Sequence, residues 1–155
     1  MARNVLRPIL FATLLAGTLD IVAAIGLTLY YGRRGVADML RGVASGPFPA
    51  ATEWGEVGAA LGLAVHFTLM AIMVTVFILA AARWRPLWQK PLLWGLLYGL
   101  ATYVVMNLVV VPLRFEGAFP PSTRSIATQL FCHIFLVGIP IALIAARHFK
   151  RRPFG

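Results

Sequence analysis

The sequence is poor in charge and poorer still in acid: of 155 residues 12% are charged, five are Asp or Glu, and 60% are hydrophobic. A soluble domain carries roughly 25% charged residues, so this balance, with a mean hydropathy of +0.83, excludes a core built for water. Cysteine is nearly absent. The single Cys132 has no partner for an internal disulfide and cannot form a cysteine metal site. Catalytic signatures are missing too: there is no HExxH, no phosphate-binding glycine loop, no Ser-His-Asp arrangement and no carboxylate pair. An enzyme would have to work a lone Asp and two His on a lipid-borne substrate, and the chain reads as non-enzymatic.

What is present is a set of four apolar runs. They extend over residues 8–31, 56–82, 92–113 and 125–146, each long enough to cross a bilayer as a helix of about 20 residues. The first exceeds the apolar core of a signal peptide and is expected to remain as an uncleaved helix. One transmembrane domain thus fills residues 1–155. The links 83–90 and 114–124 are short and broken by proline. In the longer link, residues 35–45 (GVADMLRGVAS) place Val36, Met39, Leu40 and Val43 on one helical face, as in a segment lying on the bilayer or tucked against the bundle.

The formal charge of +9 and the pI near 11.1 would suggest nucleic acid in a soluble protein. Here the basic residues flank apolar runs, so membrane orientation accounts for them and no nucleic-acid partner is expected. Arg3, Arg7, Arg83, Arg85, Lys90, Arg147, Lys150, Arg151 and Arg152 gather on one side with no acid. Arg33, Arg34, Arg41, Arg114 and Arg124 on the other are offset by Asp38, Glu53, Glu56 and Glu116. Lys and Arg are retained in the cytoplasm, which predicts an all-α, up-down-up-down four-helix bundle with both termini cytoplasmic. Trp84, Trp88 and Trp94 at one boundary, with Tyr30, Tyr31 and Trp54 at the other, read as interfacial belts. The basic tail RHFKRRPFG (147–155) reads as a contact for anionic lipid headgroups or for a partner protein.

Polar side chains inside spans are costly and turn toward the bundle interior. Asp20, His66, Asn107 and His133 stand out, one per run. Counted from the outer boundary at 1.5 Å per residue, they fall in a layer less than about 10 Å thick. Helical spacing sets Thr13, Gly17, Ala24 and Thr28 on the face of Asp20, and Gly58, Gly62, Met70 and Met73 on that of His66. It aligns Gly95, Gly99 and Tyr103 with Asn107, and Ser125 and Gln129 with His133. Tyr103, Gln129 and Met70 form a second tier of candidates. Gly58-xxx-Gly62 and Gly95-xxx-Gly99 are patterns that let transmembrane backbones approach closely, and Pro140 deprives the Leu136 carbonyl of its helical donor.

Such a layer has several readings. It can fix helix register by hydrogen bonding in a small accessory subunit or self-associating bundle. His66 and His133 can ligate a haem b between helices. With Asp20 they can bind a metal ion, Met70, Met73 or Met106 adding sulfur for copper. Ionisable groups on three helices also suit a small proton- or ion-coupled transporter, although no internal repeat supports one.

The ordered segments Leu19-Asp20-Ile21, Ala44-Ser45-Gly46, Gly62-Leu-Ala-Val-His66-Phe67, Tyr98-Gly99, Met106-Asn107 with Pro112-Leu113, and His133 followed by Gly138-Ile-Pro140 resemble a family of small bacterial inner-membrane proteins. The resemblance covers most of the chain and implies a bacterial cytoplasmic membrane and a four-helix layout, with no activity attached. The lipid bilayer, a membrane-protein partner and a second copy of the chain are the expected contacts.

Overall fold

The computed structural model describes residues 4–32, 34–115, 117 and 120–150. Arg3, Arg33, Glu116, Arg151 and Arg152, counted above for orientation, lie outside the described residues, as does the end of the basic tail. The described chain is helical, with no strand. Four helices are long and apolar enough to cross a membrane: Leu6–Tyr31, Gly55–Arg83, Pro91–Arg114 and Thr123–Lys150, called spans 1 to 4.

Local chemistry sets their ends. Span 1 stops at Gly32, whose φ of 59° places it in the left-handed region, and its N–H closes on the Thr28 carbonyl. Span 3 starts on Pro91, where the missing N–H costs nothing. Span 4 starts after Ser122, whose hydroxyl accepts from the Ser125 N–H at 3.2 Å.

Spans 3 and 4 are not uniform α-helices. Val104–Val110 and Cys132–Gly138 are π-helical, and each is followed two residues later by a proline, Pro112 and Pro140. A proline ring collides with the carbonyl four residues back and has no N–H to offer it. The wider turns relieve this, with the Val111 N–H bonding to Met106 and the Ile139 N–H to Ile134, both five residues back.

Span 4 is the axis. Half of its apolar window is buried, against 28, 22 and 17% for spans 1, 2 and 3, and it packs on all three. Lipid tails are as apolar as leucine, so helix association rests on close packing and hydrogen bonds. Glycine supplies the closeness between spans 3 and 4. A Cβ on Gly95 would lie 2.7 Å from the Ile139 Cα, and one on Gly138 would lie 2.6 Å from the Gly99 amide nitrogen. Spans 2 and 3 are joined by the Tyr98 hydroxyl, which donates to the Met73 carbonyl at 2.7 Å. A core of Ala12, Ala16, Val74, Ile78, Ile141 and Phe149 fills the end of the bundle beside the Pro86–Gln89 turn.

Two expectations change. Gly58 and Gly62 do not admit another span. The backbone against them belongs to Ala51 and Leu40, in the link between spans 1 and 2. The helix Val36–Ala44 therefore docks on the upper end of span 2, with Met39 and Ala44 buried. The Arg114 guanidinium donates to the Ser45 and Gly46 carbonyls at its end, and Arg41 donates to the Gly55 carbonyl at 3.1 Å. Arg41 also hydrogen-bonds Asp38, holding that exposed carboxyl below the usual carboxylate range. Trp88, expected at an interface, is buried with its ring 6.3 Å from that of Phe149.

The glycine contacts predict a sharp contrast. Gly99→Ala and Gly138→Ala should each destabilise the bundle by about 1–3 kcal/mol, the usual cost of overpacking. Gly26→Ala, with nothing within 4 Å of its new methyl, should be neutral or better. Unfolding midpoints in mild detergent check this, and equal midpoints for all three variants would contradict the packing.

Candidate functional site

Span 1 presents Gly17 and Asp20 one helical turn apart, and His66 on span 2 faces both. The His66 Nε2 lies 2.9 Å from the Gly17 carbonyl oxygen. A carbonyl can only accept, so Nε2 carries the hydrogen. Its Nδ1 stands 4.0 Å from the Asp20 Oδ2. The absence of a side chain at Gly17 allows this approach: a Cβ there would come 2.6 Å from the Phe67 ring next to His66.

The fixed Nε2–H restricts what the pair can do. In one net-neutral form a protonated Asp20 faces the lone pair of a neutral imidazole, and in the other a carboxylate faces an imidazolium. The 4.0 Å separation exceeds hydrogen-bond range, so a small movement or one water is needed to pass the proton. The pair is partly enclosed, with 12% of the His66 side chain and 22% of the Asp20 side chain exposed.

His133 comes from the π-helical part of span 4 and is buried. Its Nδ1 donates to the Gln129 carbonyl at 2.8 Å, leaving Nε2 as the acceptor of the neutral ring. The Tyr103 ring meets it edge-on with centroids 5.9 Å apart. Gly99 packs directly against the His133 backbone, so the contact that joins spans 3 and 4 also sets this imidazole. Thus the structure sets Asp20 opposite His66 and holds His133 between Tyr103 and the Gln129 backbone.

Asn107 is half-buried, and its amide donates to the Tyr103 carbonyl of its own helix at 3.4 Å; no residue of its π-helical segment is fully buried. Met70 is a fully buried core residue. Arg114 and Arg41 received no site role from the sequence, yet they hold the short helix that covers span 2 one turn above His66. Gly58 and Gly62 were their signal, since a glycine face needs a backbone to meet it.

Both nitrogens of His66 are addressed to span 1, so ligating iron through this ring would break the bond to Gly17 or displace the contact with Asp20. Among the described residues no three His, Cys, Asp or Glu side chains are grouped to hold a metal ion. No family profile, curated protein or solved structure matches the chain.

Proposed function

We propose that this chain is a non-enzymatic, four-span protein of a bacterial inner membrane whose working part is a proton-binding site made by Asp20 and His66, with His133 beside them. The observation that carries this is the bracketing of one imidazole by one helix: Nε2 bonded to the Gly17 carbonyl and Nδ1 facing the Asp20 carboxyl. An ionisable residue within a span is a functional site by default because of its insertion cost. Here the acid keeps an imidazole in reach with which it can trade a proton.

The up-down-up-down reading with cytoplasmic termini is supported by the basic residues near both ends and by two contacts. Arg114 at the end of span 3 meets Gly46 beside the short helix, and Trp88 before span 3 meets Phe149 near the end of span 4. In this orientation the short helix lies on the outer side, so proton access from that side passes it. An accessory-subunit role is supported by span 3, whose Leu92, Leu93, Leu96, Leu97 and Leu100 are exposed along a helix that needs lipid or another protein against it.

Infrared difference spectra of the membrane-embedded protein between about pH 5 and 8, where imidazole titrates, test the site. The wild type should show a carboxyl band that changes together with a histidine band. Asp20→Asn should abolish the first and displace the second, while an unchanged titration in that variant would overturn the reading. The subunit role is checked separately by mild extraction at native expression, which should recover an assembly well above the 16.9 kDa chain. A monodisperse monomer would refute it.

A further inference from the structure

Spans 1 and 4 share the core through Ala12, Ala16, Ile141 and Ala142, all fully buried. Toward the other end an open apolar groove of about 490 Å³ lies between them. Its walls are Ala23, Gly26 and Leu27 on span 1 and Ala127, Thr128 and Phe131 on span 4, with Cys132 deepest along span 4. The groove exists because these walls are built largely of small residues. A side chain on Gly26 would meet nothing within 4 Å.

A cation stands at its upper end. The Arg124 guanidinium lies 5.0 Å from the centre of the Tyr31 ring, and this pair sits one helical turn beyond Leu27 on one wall and Thr128 on the other. Among the described residues no carboxylate pairs with Arg124. A guanidinium above an apolar slot that runs along the helices matches a lipid whose phosphate sits at the boundary and whose chain points to the midplane. A partner helix would fill the slot but would need a carboxylate of its own at the level of the guanidinium.

We propose that this groove binds one acyl chain of an anionic phospholipid whose phosphodiester is held by Arg124. The chain would run past Cys132, the lining residue farthest from Arg124 along span 4. This inference needs the helices to span a bilayer and does not depend on proton exchange at Asp20.

Spin-labelled phosphatidylglycerol and phosphatidylcholine, compared in nanodiscs containing the full chain, provide the test. The wild type should immobilise phosphatidylglycerol in preference by roughly five-fold, the effect of one basic residue near the surface. Arg124→Gln should erase the preference, and Gly26→Leu should release the immobilised chain of either lipid. Arg83→Gln, far from the groove, should leave both signals unchanged. Equal retention of the two lipids by the wild type, or an intact preference in Gly26→Leu, overturns the proposal. So does a wild-type dimer that becomes monomeric in Gly26→Leu, because the groove then holds a second copy of the chain.

Discussion

A bilayer offers no water to a polar group, so every donor and acceptor within the spans must find its partner in the protein. This constraint organises the described structure, with the buried Thr13 hydroxyl as the exception among the described residues. His66 donates to Gly17, Tyr98 to Met73, His133 to Gln129 and Asn107 to Tyr103. The first two bonds tie span 2 to spans 1 and 3. The other two return to their own helices and leave the helix partners to be chosen by shape. Intramembrane hydrogen bonds contribute about 0.6 kcal/mol on average, so two such ties specify an arrangement more than they hold it together.

Shape is supplied by glycine, and the same glycines build the site. Gly99 lets span 3 lie against the backbone of His133, and Gly17 lets span 2 bring His66 onto a carbonyl of span 1. Gly62 admits the Leu40 backbone one turn above His66, which puts the short helix between the acid-imidazole pair and the upper end of the bundle. Packing and chemistry therefore share residues, and a methyl group added at one of these positions disturbs both.

The long helices were legible because insertion in lipid demands about 20 predominantly apolar residues in a row, and the four runs meet that demand with only a few polar residues inside them. The acid and the two histidines were legible for the opposite reason, as costly exceptions within apolar runs. Spans 3 and 4 show where a 3.6-residue repeat fails: the segments before Pro112 and Pro140 are π-helical, and the prolines were the one sign of this in the sequence. Gly58 and Gly62 show a second limit, since a small-residue pattern announces a close neighbour without naming it. The neighbour was the amphipathic helix already visible in residues 35–45. Trp88 shows a third: tryptophan beside basic residues fits a membrane interface, yet here the ring is covered by Phe149, a contact between distant parts of the chain.

The account depends most on the orientation of one ring. Nitrogen-15 solid-state NMR of histidine-labelled protein in lipid reads it directly, with His66→Phe assigning the signal. The account predicts that the Nε2 of His66 carries its hydrogen and is hydrogen-bonded, and that Asp20→Asn alters Nδ1 alone. A neutral His66 carrying its hydrogen on Nδ1, with Nε2 bare, would contradict it.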